Sequence, residues 1–452
     1  MVIKNIDMIV MKFGGTSVQN EEAIRRVVSI VKSRLSERPL VVVSALAKVT
    51  RLLVQIAEES GNGNKEAVER DLAALRERHL KLCAALLEGE LLDRTEKKVV
   101  SLCDGLSGFT EGVLRIGELS PRSRARIIST GELLSSTIVS AAFNAAGVVC
   151  NWMDARAAVV TDDNYMDAAV RLEETEANVR RIFPVLSRGA DMVLTQGFIA
   201  STSAGDPSVL GFEGSDYSAA IFAMSLGAAE VQIWTDVDGV RTSDPRAVRN
   251  TERIERLSYD EAAAMAESGA RVLHPLTIGP ARMRNIPIRV LNTMNPDCEG
   301  TLITGGNTAS GPKCVAFIPD IDYLEIRARE YGQAERMAKE VLPQLLSVAS
   351  GPSLLASSAG RLSMTFEKGG EALAEAVENF RTEYEVNLYR DKAQLSVVGN
   401  GVSMCEEVIG ALRGACRQVH MVCTGAAMMD VSIVVDRESL VETADKIHGK
   451  LF

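Results

Sequence analysis

Val10-Met11-Lys12-Phe13-Gly14-Gly15-Thr16-Ser17-Val18 is the stretch around which this chain is organised. The apolar run over residues 8–11 predicts a buried strand, the double glycine stops it, and from about Asn20 the apolar positions Ala23, Val27, Val28 and Val31 recur at helical spacing. A strand that ends in Gly-Gly ahead of a helix brings backbone N–H groups up to a ligand with no Cβ in the way. The helix N-terminus behind them favours bound phosphate. Lys12, at the end of the strand, adds a point charge within reach of the outer phosphates. The spacing is neither G-x-x-x-x-G-K-S/T nor G-x-G-x-x-G. Alone, such a turn is more often structural than functional, and the rest of the chain has to decide.

Residues 40–44 predict a second buried strand, opening into the small-residue loop Ser44-Ala45-Leu46-Ala47-Lys48-Val49-Thr50 and another helix. This repeat of strand, small loop and helix predicts a parallel α/β sheet with ligands at the carboxyl ends of its strands. Val68, Leu72, Leu75, His79, Leu82 and Leu86 mark a long amphipathic helix inside a helical excursion over about 64–119, with His79 read as core rather than ligand. Gly131-Glu132 opens an apolar helix to about residue 146. Strands are predicted over 148–152, 192–195, 231–234 and 288–291, the last closing the sheet, and residues 201–216 read as a polar, glycine-containing loop before a helix. Residues 304–312 are the clearest linker, after which short strands and helices alternate as two similar α+β units.

Composition narrows the function. With 452 residues, two or three domains are expected, and no apolar run approaches the ~18 residues of a membrane helix. The N-terminus has no signal pattern, so a cytoplasmic location is expected. Eight cysteines without a C-x-x-C pair read as reduced thiols, not as a zinc site or a disulfide frame, and four histidines leave little for a metal. A net charge of −10 and 4% aromatic residues argue against nucleic acid as a partner.

The motifs Lys12 to Val18, Ser44 to Thr50, Gly131-Glu132, Gly214-Ser215-Asp216, Trp234-Thr235-Asp236-Val237-Asp238-Gly239, Asp244-Pro245-Arg246 and Gly269-Ala270-Arg271-Val272-Leu273-His274-Pro275 together resemble the aspartate kinases, in that family's order and over essentially the whole chain. The resemblance implies an amino-acid-kinase-like αβα sandwich with a mainly parallel sheet over 1–304, a linker over 305–312, and a pair of ACT-like domains, 320–391 and 313–319 plus 392–452. It looks like the single-function form, without a fused homoserine dehydrogenase.

The implied reaction is transfer of the γ-phosphoryl group of ATP, with Mg²⁺, to the side-chain carboxylate of L-aspartate, the first step towards lysine, threonine and methionine. A carboxylate is already ionised at pH 7, so no general base or covalent intermediate is needed, and catalysis reduces to positioning and charge neutralisation. By matching positions, Lys12 and Asp216 are the catalytic pair, and the Gly14 and Gly15 amides help hold the phosphoryl group. Thr50, Glu132 and Ser215 hold aspartate, Glu132 through its ammonium. Thr235, Asp236, Arg241, Arg246 and Arg271 flank the nucleotide, and Mg²⁺ is bound mainly through ATP rather than by protein ligands.

Departures from the family pattern carry their own expectations. Phe212 stands where an arginine usually grips a substrate carboxylate, so another cation, such as Lys48 or a nearby arginine, has to reach in or aspartate binds weakly. Arg271 replaces a common lysine, and Arg241 a common aromatic residue. In the first ACT-like unit, Ser347-Val348-Ala349-Ser350 lacks the acid that often takes an effector's ammonium, so lysine inhibition is expected to be weak or absent, with threonine more open. The ACT-like units are expected to join a homodimer or higher homo-oligomer. A phosphotransferase of the same fold with another acceptor is the competing reading, and a ligand sensor with little activity is a third.

Overall fold

Of the five residues of β1 (Ile9–Phe13), only Lys12 is not fully buried, so the strand has to lie inside a sheet covered on both faces. A computed structural model of the chain describes residues 8–211, 214–270, 273, 275–306, 308–330, 334–349, 351–358, 360–367, 369–425 and 427–452. By contacts the chain forms two units, Met1–Gly239 with Leu273–Gly305, and Val240–Val272 with Gly306–Phe452.

The strands of the first unit are β1, β2 (Leu40–Val43), β3 (Cys150–Trp152), β4 (Val160–Thr161), β5 (Met192–Gln196), β6 (Ile199–Thr202), β7 (Pro207–Val209) and β8 (Glu230–Thr235), then Ile288–Asn292 and Thr301–Thr304. The main sheet runs β3, β5, β2, β1, β8, Ile288–Asn292, all parallel. Thr301–Thr304 adds an antiparallel strand beyond Ile288–Asn292. The sheet therefore does not close at residue 291 as its sequence reads, because the turn after it brings a short return strand back alongside.

Helices α1 (Glu21–Lys32), α2 (Val49–Gly61), α3 (Lys65–Leu86), α4 (Gly89–Ile116) and α6 (Thr130–Ala145) fall where helices are expected, and α5 (Pro121–Ile128) is a short helix that the sequence reading does not contain. Ile9, Met11 and Phe13 share one core with α1, α2, α3, α4 and α6, while the opposite face of β1 lies under the helix Gly214–Leu226. This is the αβα arrangement expected, and α3 with α4 forms the helical excursion. His79 is a core residue, its Nδ1 2.7 Å from the Leu75 carbonyl oxygen.

The stretch read as a loop from residue 201 differs. β6 and β7 form a hairpin that turns at Gly205 and pairs with β4 in a separate small sheet. No apolar run marks its strands, because Ser201, Thr202 and Ser208, buried with hydroxyl partners, interrupt the buried Ile199, Ala200 and Val209. Thr161 Oγ1 meets Ser208 Oγ at 2.7 Å, and Ser201 Oγ donates to the Arg156 carbonyl at 2.6 Å.

The second unit is built on a six-stranded antiparallel sheet in the order Leu354–Ser358, Arg361–Phe366, Cys314–Ala328, Tyr384–Val398, Asp430–Asp436, Met421–Thr424. One end is covered by helices Ala334–Val348 and Gly370–Phe380, the other by Glu406–Ala415 and Leu440–Leu451, which gives two α+β halves. Cys314–Ala328 is one long strand, irregular between Ile318 and Tyr323. Residues 240–272, placed by sequence in the N-terminal domain, group by contact with this unit. Thr242 Oγ1 lies 2.8 Å from His448 Nε2, and Ser243 Oγ donates to the Val315 carbonyl at 2.7 Å. Ser350 of the first ACT-like unit and Asn307 of the linker lie outside the described residues.

Candidate active site

At the carboxyl end of β1, Lys12 Nζ stands 2.6 Å from Oδ1 of Asp216, with the two side chains 13% and 9% exposed. The contact is an ion pair without the angle of a hydrogen bond. Asp216 reaches it from the first turn of the helix Gly214–Leu226, where a carboxylate also complements the helix dipole. The sequence pairing of these two residues, 204 positions apart, is therefore a contact in space.

After β1 the chain turns through extended Gly14 into a single 3₁₀ turn, Gly15–Val18, and Asn20 caps α1 by accepting the Ala23 N–H at 2.9 Å. A Cβ on Gly15 would sit 2.8 Å from the Ala45 carbonyl oxygen, so glycine lets the first loop press against the second. The Ala47 N–H donates to the Gly15 carbonyl at 3.0 Å. The Gly14 N–H points to the Trp234 carbonyl through a long bond of 3.4 Å.

The second loop, between β2 and α2, meets the first loop, Ser215 and Glu132. Ser44 Oγ donates to Ser215 Oγ at 3.0 Å, and the Ala45 N–H donates to Glu132 Oε1 at 3.2 Å. Lys48 ends the loop with φ +70°, the left-handed region that favours glycine, and Thr50 follows, half-buried, in the first turn of α2.

Glu132 opens α6 and is 2% exposed. Its Oε2 has no partner among the described residues. Burial pushes its carboxyl up to about 8, against the smaller opposing effect of the Ala45 N–H. A buried carboxylate with one oxygen free is a seat for a cation that brings its own hydrogen-bond donors, such as an ammonium.

Two positioning features are absent from the sequence reading. Arg78 of α3 ties the first two loops together, Nη1 donating to the Ala47 carbonyl at 2.9 Å and Nη2 to the Gln19 carbonyl at 3.4 Å. Gly197, after β5, leaves room for Ser215, whose Cβ would lie 2.6 Å from a Cβ added there. Arg78 carries no sequence signal beyond a charge on an amphipathic helix, whereas a glycine directly after a buried strand was a visible cue.

The nucleotide-side candidates are distributed differently. Thr235 ends β8, half-buried, with Oγ1 donating to Asp236 Oδ1 at 3.2 Å. Arg241 and Arg246 belong to the second unit. Arg241 Nε donates to Thr251 Oγ1 at 2.8 Å, and Arg246 makes a two-pronged pair with Asp244, with Nη2 at 2.7 Å from Oδ2. Among the described residues no three His, Cys, Asp or Glu side chains gather as metal ligands.

Comparison with known proteins decides the family. Residues 7–292 match the amino acid kinase family. Over 468 residues the chain is 31% identical to lysine-sensitive aspartokinase 3 of Escherichia coli K12, covering 99% of each. The chain belongs to the aspartokinase family. Chloroplastic aspartokinase 3 of Arabidopsis thaliana is 30% identical over 463 residues, covering 98% of this chain and 81% of that one. The crystal structure of E. coli aspartokinase III in complex with aspartate and ADP, in the R-state, matches with a TM-score of 0.87 at 29% identity, over 98% of this chain and all of that one. Two positions that the aspartokinase resemblance places at the substrates, Phe212 and Arg271, lie outside the described residues.

Proposed function

We infer that the chain transfers the γ-phosphoryl group of ATP to the side-chain carboxylate of L-aspartate, giving 4-phospho-L-aspartate. The observation that carries this reading is the Lys12–Asp216 pair at 2.6 Å beside the Gly14–Gly15 turn. It is supported by a family relative of matching fold whose crystal structure holds aspartate and ADP.

In-line transfer between two anions needs positive charge on the equatorial oxygens and a fixed approach, and little else. Lys12 supplies the charge. Asp216 holds the ammonium in place until the phosphates displace part of that pairing. The free Oε2 of Glu132 takes the substrate ammonium, and the Ser44–Ser215 hydroxyl pair and Thr50 border the same space. Thr235, Asp236, Arg241, Arg246 and Arg271 serve the nucleotide in this reading. Mg²⁺, held mainly through the ATP phosphates, would neutralise phosphate charge. The acceptor carboxylate attacks directly, so no enzyme-bound intermediate forms.

The six-stranded sheet of the second unit is read as an ACT-like pair that binds an amino-acid effector and joins two chains. One relative is named lysine-sensitive, yet residues 347–349 of this chain carry no acid, so lysine acts weakly here if at all. Among the described residues no helix is long and apolar enough to cross a membrane, and the cytoplasm is the proposed location.

Hydroxylamine traps an acyl phosphate as a hydroxamate, which tests the reaction with a panel of amino acids. Hydroxamate is expected with L-aspartate, ATP and Mg²⁺. None with any amino acid, or product with glutamate alone, would overturn the reading.

A further inference from the structure

A cavity of about 550 Å³ opens between α4 and α6 beside the edge strand β3. None of the residues assigned to phosphoryl transfer lines it. Four cations do, Arg94, Lys97, Lys98 and Arg156, with no carboxylate among the lining residues. In a chain of net charge −10, that concentration of positive charge around one apolar opening runs against the average surface.

Arg156 is paired with Asp154 at 2.7 Å. Arg94, Lys97 and Lys98 have no ion pair among the described residues, although Lys97 also borders an adjoining groove with Asp93, Glu96 and Asp104. The spacing of Arg94 and Lys98 places both on one face of α4. Trp152 forms a wall, 36% exposed, while its Nε1 donates to Ser136 Oγ at 3.0 Å and so fixes the indole. The apolar lining with one fixed aromatic face takes a flat apolar body, and the cations take an anionic end.

The opening also has a route to the site already described. Its α6 wall begins at Leu133, the neighbour of Glu132. Ser136 Oγ, which holds Trp152, also accepts from Gln196 Nε2 at 2.9 Å, and Gln196 precedes the Gly197 that packs against Ser215.

We propose that the opening between α4 and α6 binds a small anion with a flat apolar body. Occupancy bears on the helix that carries Glu132, and that consequence rests on the proposed reaction with aspartate.

The full-length protein is titrated with anilinonaphthalene sulfonate, and in parallel with uncharged phenylnaphthylamine, following tryptophan quenching. Saturable quenching by the sulfonate is expected, and its loss in Trp152→Phe places the probe. The Arg94→Gln/Lys98→Gln double variant should bind it about tenfold more weakly, with the neutral probe unaffected. In wild type the bound sulfonate should shift the aspartate KM about fivefold, and not in the double variant. Absence of saturable quenching, equal binding by the double variant, or quenching that follows protein concentration instead of probe would overturn the site. The last result would mark the opening as a contact between copies of the chain. An unchanged KM on a saturated site would remove the link to Glu132. A protein that binds the probe but phosphorylates no aspartate would sink the proposed reaction and leave the site standing.

Discussion

Removing the Lys12 ammonium takes away the charge that faces Asp216 at 2.6 Å and, in the proposed reaction, the charge that meets the transferring phosphoryl group. Lys12→Met keeps most of the side-chain length inside β1, so the fold is expected to persist. Its kcat should fall on the order of 10²–10³-fold, as for loss of one preorganised charge-stabilising donor, with a smaller change in aspartate KM. Steady-state kinetics that retain more than half of wild-type kcat would make Lys12 a bystander.

Glu132 gives a pH dependence whose sign can be worked out. Its carboxyl lies at about 8 in the folded protein without substrate, against an ordinary 4.5, because burial opposes the charge. Between those values the native state holds a proton that the unfolded chain has lost, so this group's contribution to stability is full below the ordinary value and is lost as pH rises through 8. An arriving substrate ammonium favours the ionised form and drives that proton off. Aspartate KM should therefore fall as pH rises from 6 to 8, at most about tenfold per pH unit. Binding should release a proton, visible by calorimetry in buffers of different ionisation enthalpy. Flat KM values over that range would take the ammonium away from Glu132. Lys12, Asp216 and Glu132 were all legible as residues, since each sits at a strand end or helix start where local chemistry marks it. Arg78 was not, because its two carbonyl partners are 31 and 59 positions away.

The elements separate into those whose burial is apolar and those whose burial is polar. β1, β2, β5 and β8, α1 and α3 declare themselves by runs or stripes of apolar residues, and the structure places them within a residue or two of their expected ends. β6 and β7 do not, because Ser201, Thr202 and Ser208 are buried by hydroxyl bonds that no periodicity reports. The same limit hid how the elements are held at the site. Gly197→Ala would drive a methyl to 2.6 Å from Ser215 Cβ, so the start of the helix Gly214–Leu226 has to move. This should cost about 1–3 kcal/mol of stability by overpacking, and raise aspartate KM. Thermal unfolding and kinetics on the same preparation check both, and an alanine variant with wild-type KM would show that Ser215 tolerates displacement. Arg78→Lys keeps a charge but cannot fork to two carbonyls, so it should lower kcat/KM about tenfold by loosening both loops. Equal losses in Arg78→Lys and Arg78→Ala would support the fork. Full activity in the lysine variant would reduce Arg78 to a surface charge.

On the scale of the whole molecule, the two similar α+β units read from the sequence are the halves of one sheet, since Cys314–Ala328 and Tyr384–Val398 run through both. Two edge strands remain, Leu354–Ser358 and Met421–Thr424. They approach each other closely enough for Leu354 and Met421 to share an apolar cluster with Ile321 and Tyr323. Leu355 and Val422 on those same strands are 44% and 59% exposed. Unpaired edges carrying apolar side chains invite a partner strand, and a second copy related by two-fold symmetry covers both at once. We therefore expect a dimer joined through this sheet. Truncation after Gly306 is a poor test, because it strips Thr242 and Ser243 of their contacts with His448 and Val315. The full-length Leu355→Lys/Val422→Lys variant is the cleaner one. Both side chains already meet solvent, so its unfolding temperature should stay near wild type, while two like charges placed at a paired edge repel across the contact. Analytical ultracentrifugation should show wild type as a dimer and the variant as a monomer at the same concentration. A variant that stays dimeric with an unchanged sedimentation coefficient would move the contact to another face of the chain.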